Sequence, residues 1–180
     1  MRSHSRTLAI VITLLVWAVP GSAQQAGTLR APDVVYVPTP QEVVDAMLQL
    51  ANVTAADVVY DLGSGDGRIP ITAAQKFGAT AVGIDINPER IKEANENLAK
   101  AGVADKVKFL NQDLFETDLS PATVITLYLL PSLNLKLMPT LKQLKPGTRV
   151  VSHSFDMGSE WPPEKTQDVN GRKIYYWVVK

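Results

Sequence analysis

A short segment early in the chain alternates glycine with acidic and small residues, reading Asp-Leu-Gly-Ser-Gly-Asp-Gly-Arg over residues 61–68. Glycine has no Cβ, so three glycines at alternate positions let the backbone turn tightly and approach a ligand. The segment follows a short apolar run, which predicts a turn from a buried strand into a helix. Ligands of open parallel sheets bind beside such a turn. An unliganded tight connection explains one or two glycines, but it explains three flanked by acids poorly.

The acids of this turn indicate which ligand it accepts. Asp61 and Asp66 would repel the pyrophosphate of a dinucleotide, and the spacing Gly-x-Gly-x-Gly differs from the dinucleotide pattern Gly-x-Gly-x-x-Gly. A phosphate-binding Gly-Lys-Ser/Thr sequence is also absent from the chain. S-adenosylmethionine has no phosphate, and its ammonium and sulfonium groups are attracted by carboxylates. We therefore predict that this turn binds S-adenosylmethionine.

Two further acids follow later predicted strands. Asp85 ends the run Ala81–Asp85, where its carboxylate can accept both ribose hydroxyls, as in dinucleotide-binding folds. Its alternative role is to cap the helix that begins near Asn87. Asp113, followed by Leu114, can accept the adenine amino group while a neighbouring backbone amide contacts the ring. Three acids at three successive strand ends, together with the glycine turn, indicate one cofactor site.

Strands and helices alternate at short spacing after residue 34, which predicts a Rossmann-like, doubly wound α/β domain over residues 34–180. Its sheet is expected to be mostly parallel and seven-stranded. Asn170-Gly171 between strand-forming residues predicts a hairpin that adds an antiparallel strand at the C-terminus. Thr39, with Glu42 three residues later, predicts the capping box of the first helix.

The N-terminus differs in composition from the rest of the chain. Two arginines precede an apolar run over residues 7–19, and small residues follow it, which is typical of a secretory signal peptide. The run is shorter than the roughly 20 residues of a membrane-spanning helix. We predict a signal peptide over residues 1–23, or else an uncleaved anchor, and a flexible lead-in over residues 24–33. The domain is then periplasmic, extracellular or anchored to a membrane, with no stable membrane span after cleavage.

Composition limits the other functions. The 180 residues include 18 basic and 18 acidic side chains, so no overall positive field favours nucleic acid as a partner. Cysteine is absent, and His4 and His153 are far apart in sequence, so no metal site is expected. His153 lies in a predicted apolar strand, where a packed core histidine is favoured over a general base.

The motifs resemble those of class I S-adenosylmethionine-dependent methyltransferases, with residues 58–68, 82–91 and 111–114 similar to motifs I, post-I and II. Tyr-Val-Pro-Thr-Pro at residues 36–40, and the stretch Leu144–Phe155, resemble one protein-lysine methyltransferase group. That group contains broad-specificity archaeal enzymes and mitochondrial enzymes acting on the adenine nucleotide translocator and on ATP synthase subunit c. The resemblance covers roughly residues 34–180. It implies methyl transfer to lysine ε-amines of a protein substrate, with residues 36–40 closing over the methionine end of the cofactor.

The expected cofactor-binding residues share positions in these motifs; they are Tyr36, Thr39, Asp61, Gly63, Ser64, Gly65, Gly67, Asp85, Ile86, Asp113 and Leu114. Tyr36, Tyr128, Ser154 and Trp161 are candidates for positioning the acceptor, and each can equally be a packed side chain. Tyr128 is followed by Leu-Leu-Pro-Ser, not by the Asn/Asp-Pro-Pro-Tyr pattern of glutamine and adenine methyltransferases. A small-molecule methyltransferase and a non-catalytic S-adenosylmethionine-binding domain remain the alternatives.

Overall fold

The structure is a computed structural model that describes residues 29–180, in which strands and helices alternate along most of the chain. The strands are β1 (Val58–Leu62), β2 (Thr80–Asp85), β3 (Val107–Asn111), β4 (Val124–Leu127), β5 (Arg149–His153), β6 (Lys165–Val169) and β7 (Arg172–Val178). The helices are α1 (Gln41–Leu50), α2 (Arg68–Phe77), α3 (Pro88–Ala101) and α4 (Pro131–Leu141), with a single 3-10 turn at Gly158–Glu160.

The strands form one sheet in the order β3-β2-β1-β4-β5-β7-β6. The first five in this order pair in parallel, and β7 runs antiparallel to both β5 and β6. Asn170 and Gly171, both with positive φ, form the turn between β6 and β7, as the Asn-Gly pattern predicts. The predicted fold, a mostly parallel seven-stranded sheet with an antiparallel C-terminal strand, is confirmed.

Helices cover both faces of the sheet because its central strands are apolar on both sides. Every residue of β4 is buried, as a strand between two covered faces requires. One core contains the apolar faces of α1 and α2, with Val43 and Met47 fully buried. The other contains α4 and the end of the hairpin, with Leu141 and Trp177 fully buried. The two cores hold the strands in place, and the loops of the site extend from the carboxyl ends of these strands.

The first turns of α3 and α1 are stabilised differently. Asn87 caps α3, because its side chain accepts a hydrogen bond from the amide of Glu89. The capping box at Thr39 is wrong: α1 begins after Pro40 without a side-chain cap. The Thr39 hydroxyl lies instead 3.2 Å from Nδ1 of His153, a partner 114 residues away. A long-range contact has thus replaced the local one.

The predicted signal peptide, and residues 24–28 of the predicted lead-in, lie outside the described residues. From Leu29 onwards, the structure has no helix both long enough and apolar enough to cross a membrane.

Candidate functional site

The glycine turn joins β1 to α2 at the carboxyl edge of the sheet. Gly63, Gly65 and Gly67 all have positive φ, between 52° and 82°, which L-residues with a side chain rarely adopt. The amides of Gly63 and Ser64 donate to the carbonyl of Ile84 at 2.8 and 3.0 Å, which ties the turn to β2. The sequence requirement for glycine here is therefore a backbone requirement.

The surroundings of two glycines give a second reason for their lack of a Cβ. A Cβ on Gly65 would lie 2.2 Å from the ring of Tyr36, and one on Gly67 would lie 2.4 Å from Phe109. Neither glycine lines the central cavity. Their direct contact with the cofactor stays a prediction, while the structure shows them packed against protein side chains.

The three acids predicted from the strand ends meet around one cavity of about 320 Å³. That volume lies within the range of roughly 300–1,000 Å³ of small-molecule sites. All the expected cofactor-binding residues except Gly65 and Gly67 line this cavity, namely Tyr36, Thr39, Asp61, Gly63, Ser64, Asp85, Ile86, Asp113 and Leu114. The topology accounts for this convergence, because the carboxyl ends of β1, β2 and β3 are neighbours.

Asp61 is the most buried of the three acids, with 3% of its surface exposed. Burial raises the pKa of Asp61 to about 7, against the effect of a 2.7 Å hydrogen bond from Thr126, and the nearby charges of Asp85 and Asp66 raise it further. A cationic group placed beside Asp61 would reverse this effect. The electrostatics thus favour a positively charged ligand at the end of β1.

Asp85 links the turn to the start of α3. Its Oδ2 accepts the amide of Gly65 and its Oδ1 accepts the amide of Asn87, both at 2.9 Å. Each carboxylate oxygen has a further lone pair, so the side chain can still accept hydroxyl groups from the cavity. Asp85 does not cap α3, because the N-cap is Asn87, but it holds the amide of that residue. Ribose binding by Asp85 stays a prediction that this geometry allows.

Asp113 carries an ion pair that its local sequence does not predict. Nε and Nη2 of Arg30 donate to its two carboxylate oxygens at 2.5 and 3.1 Å. The guanidinium of Arg30 and the amide of Phe115 hold the pKa of Asp113 below its usual range. Arg30 also pairs with Asp33 at 2.5 Å, so the start of the described chain is attached to the cavity wall.

The segment Tyr36–Thr39 lines the cavity above the glycine turn. Nη1 of Arg68 donates to the Thr39 carbonyl at 2.8 Å, and the same guanidinium pairs with Asp66 at 2.6 Å. The guanidinium of Arg90 lies 4.9 Å from the centre of the Tyr36 ring, within cation–π distance. These contacts hold the segment over the turn, and its closure over the methionine end of the cofactor stays a prediction.

The chemistry of the lining fits S-adenosylmethionine. The buried hydroxyl of Ser64 has no hydrogen-bond partner among residues 29–180, although Ser64 lines the cavity. A buried polar group without a partner is unfavourable, and a small shift of the turn would let a polar ligand in the cavity satisfy it. Acids at three strand ends can hold the ammonium, ribose and adenine groups, while Leu114, Leu129 and Leu133 supply apolar surface.

The candidate acceptor residues are placed differently from one another. Tyr128, directly after β4, lines the cavity together with Tyr36. Ser154 does not line it; its backbone has a φ of 65° and its amide donates to the carbonyl of Lys173. Trp161 packs on Trp177, with ring centres 5.9 Å apart, so it is a partly buried side chain against the core beneath the hairpin. The structure brings together only the two tyrosines.

Several lining residues were not predicted. Arg30, Leu129 and Leu133 reach the cavity from segments without a motif, and Arg90 lies in the region that resembles the post-I motif but was not singled out. Arg68 is the last residue of the glycine turn. Its position two residues after Asp66 could have predicted the ion pair between them. Within residues 29–180, no group of three or more histidine, cysteine or acidic side chains is arranged to hold a metal ion.

Comparisons with known proteins agree with the geometry. The family model of the ANTKMT methyltransferase domain matches residues 61–165. A protein-lysine N-methyltransferase of Saccharolobus islandicus is 50% identical over 82% of this chain and 95% of its own length. The adenine nucleotide translocase lysine N-methyltransferase of Mus musculus is 32% identical over 83% of this chain and 66% of its own.

A solved structure adds the ligand. An RNA methyltransferase from Salinibacter ruber, in complex with S-adenosyl-L-homocysteine, is 59% identical, with a TM-score of 0.78 over 79% of this chain and 94% of its own. S-adenosyl-L-homocysteine is what S-adenosylmethionine becomes after losing its methyl group, so the predicted cofactor is confirmed. This chain belongs to the ANTKMT methyltransferase domain family and is an S-adenosylmethionine-dependent methyltransferase.

Proposed function

We propose that this enzyme transfers the methyl group of S-adenosylmethionine to lysine ε-amines of a protein substrate. The observation that carries the proposal is the 50% identity with a protein-lysine N-methyltransferase, over nearly the whole of that relative. The sequence resemblance at residues 36–40 points to the same acceptor.

The topology supports a division of the cavity into a cofactor end and an acceptor end. The acids Asp61, Asp85 and Asp113 lie at or just after the carboxyl ends of β1, β2 and β3, which are neighbours in the sheet. Tyr128 and Leu129 follow β4, on the other side of β1, and Leu133 lies beside them on α4. The acceptor is therefore expected at the end formed by Tyr128, Leu129 and Leu133.

A largely apolar acceptor end suits a lysine side chain. Lysine has a reference pKa of about 10.4 and must lose its proton before it can attack a methyl group. The apolar lining and the positive charge of the sulfonium both disfavour the ammonium form. Tyr36 is not a base at neutral pH, because burial and the nearby charge of Asp66 raise its pKa to about 12. Desolvation by these side chains thus takes the place of a general base.

The enzyme's remaining contribution is alignment. S-adenosylmethionine supplies an activated methyl group that is transferred by in-line displacement. Tyr36 and Tyr128 flank the cavity and restrict how the incoming amine approaches. Holding the nucleophile in line accounts for a large part of the acceleration of such reactions.

RNA is the second candidate acceptor, because the Salinibacter ruber structure with 59% identity is that of an RNA methyltransferase. Two sequence features favour protein over RNA. The balance of 18 basic and 18 acidic residues provides no overall attraction for phosphates, and Tyr128 lacks the Pro-Pro-Tyr neighbours of adenine methyltransferases.

The test is to incubate the purified full chain with tritiated S-adenosylmethionine and cell extract. Parallel samples are treated with ribonuclease, with protease, or by prior chemical acetylation of protein amines. We expect label in the protein fraction that acetylation abolishes and ribonuclease leaves intact. Label lost to ribonuclease would establish RNA as the acceptor, and label only in small molecules would establish a small-molecule methyltransferase. Binding without transfer would indicate a non-catalytic domain.

We also propose that residues 1–23 direct the enzyme out of the cytoplasm or anchor it to a membrane. The arginines, the apolar run and the small residues after it support this proposal. N-terminal sequencing of the protein isolated from each cell fraction tests it. An extracytoplasmic protein beginning near residue 24, or a membrane-bound uncleaved chain, is expected; a soluble cytoplasmic chain beginning at Met1 would contradict it.

A further inference from the structure

His153 lies at the end of β5 with 1% of its surface exposed. Its Nδ1 is 3.2 Å from the hydroxyl of Thr39, which is itself buried. Its ring packs on Tyr128, with ring centres 3.9 Å apart and planes inclined by 35°. One buried side chain therefore contacts two residues that are distant from each other in sequence.

Both contacted residues line the cavity, whereas His153 does not. Thr39 belongs to the segment over the glycine turn, and Tyr128 belongs to the expected acceptor end. His153 lies behind both of these walls. It has no access to a substrate amine within the cavity, which argues against a role as general base.

The chemistry of the imidazole agrees with this placement. Burial, and to a lesser degree the charge of Arg172, lower the pKa of His153 to about 4, so the ring is neutral near pH 7. Its Nε2 is buried without a hydrogen-bond partner among the described residues. The bond to Thr39 is thus the one hydrogen bond that holds the ring within this part of the chain.

We propose that His153 is a positioning residue that fixes Tyr128 and the Tyr36–Thr39 segment relative to each other, and so sets the passage by which the acceptor amine reaches the methyl group. The kinetic test of this proposal rests on the proposed lysine acceptor, whereas the positioning of the two walls does not depend on which acceptor is used. Small misalignments of a nucleophile strongly reduce the rate of a displacement reaction, which is why such a contact matters.

Three substitutions separate the two contacts. His153→Phe keeps a ring against Tyr128 but removes the hydrogen bond to Thr39. Thr39→Val removes the same bond from the other side. His153→Asn keeps a polar atom near the position of Nδ1 but removes the ring. Thr148→Val is the matched control, because Thr148 is equally buried but lies before the opposite end of β5.

The kinetic test uses a lysine-containing protein acceptor. We expect His153→Phe and Thr39→Val each to lower kcat/KM by about three- to tenfold, the effect of one lost neutral hydrogen bond. The double variant should be no worse than the poorer single variant, because the two substitutions remove the same interaction. The pH profile of His153→Phe should keep the wild-type shape. A lost limb in that profile would overturn the proposal in favour of a base.

NMR relaxation tests the same contact without an acceptor, so its failure and that of lysine transfer are distinguishable. The backbone amide order parameters of Tyr36, Val37 and Thr39 should fall in His153→Phe and Thr39→Val, and should stay at the wild-type values in His153→Asn and Thr148→Val. Thermal melting establishes that each variant is folded. Wild-type order parameters in folded His153→Phe would overturn the proposal whatever the acceptor is.

Discussion

The guanidinium of Arg30 spans both carboxylate oxygens of Asp113, at 2.5 and 3.1 Å, across 83 residues of sequence. Arg30 is partly exposed, whereas the Asp113 side chain is only 11% exposed. The pair attaches the described N-terminus to the cavity wall where the adenine ring is expected. The same ion pair holds the segment from Arg30 to Thr39, most of which lines the cavity, against the cavity wall.

Replacing Arg30 with alanine should therefore open this segment. We expect S-adenosyl-L-homocysteine to associate and dissociate a few times faster, with little change in affinity, because exposed ion pairs contribute about 1 kcal/mol or less. Stopped-flow measurement of both rate constants checks this. High salt screens the ion pair, so it should raise both rate constants in the wild type but not in the variant. Unchanged rates in Arg30→Ala would show that the ion pair does not control access.

Cofactor binding should release protons near pH 7. The buried Asp61 has a pKa of about 7, so a large fraction is protonated there, and a cationic ligand beside it favours the carboxylate. Calorimetry at pH 6.5 in buffers of different ionisation enthalpy measures the release. At pH 8.5, where Asp61 is already ionised, the release should become small. Equal heats in all buffers at pH 6.5 would argue against contact between the cofactor's charge and Asp61.

Asp85→Ala should weaken S-adenosylmethionine binding by about a hundredfold or more, because two hydrogen bonds to a carboxylate are lost. The support that Asp85 gives to the amides of Gly65 and Asn87 is lost with them. Isothermal titration calorimetry provides the measurement. Asp45→Ala is the matched control, since Asp45 pairs with Lys76 on the outer surface of α1 and does not line the cavity. An affinity within threefold of the wild type would refute the ribose assignment.

The amino ends of the strands, opposite the cavity, offer a test of stability. Arg149 and Thr123 both bond to the buried carboxylate of Asp57, whose Oδ2 also accepts the amide of Thr54. Asp57→Ala removes the carboxylate partner of the guanidinium, which keeps only its bonds to the carbonyls of Ala51 and Asn52. We expect the free energy of unfolding to fall by about 2–4 kcal/mol. Urea unfolding measures this loss. Affinity for S-adenosyl-L-homocysteine should stay within about twofold in the folded fraction. A large loss of affinity would mean that the ion pair at the amino ends of the strands affects the cavity at their carboxyl ends.

The sequence predicted the parts of the fold and site that depend on local pattern. The glycine turn could be predicted because residues 61–68 contain both the glycines that its positive φ values require and the acids that select the ligand. Asp85 and Asp113 could be placed beside it because parallel strands bring their carboxyl ends together. The Asn170-Gly171 turn was likewise predictable, since its positive φ values are a property of two adjacent residues.

Long-range contacts account for the differences. Thr39 fits a capping box, yet its hydroxyl bonds to His153, and no local pattern reveals a partner 114 residues away. Arg30 lies in the predicted lead-in, and nothing in the local sequence indicates that it pairs with Asp113. Ser154 was a candidate for the acceptor site or for a packed side chain, and the left-handed turn after β5 places it outside the cavity lining. Each outcome depends on tertiary packing.

The most direct test of lysine methylation uses S-adenosylmethionine with a trideuterated methyl group and a protein extract as acceptor. Tandem mass spectrometry of the digested proteins then locates the heavy methyl groups. We predict that they lie on lysine ε-nitrogens, and that they are absent when Asp85→Ala replaces the wild-type enzyme. Heavy methyl groups confined to RNA nucleosides, or to side chains other than lysine, would contradict the proposed function.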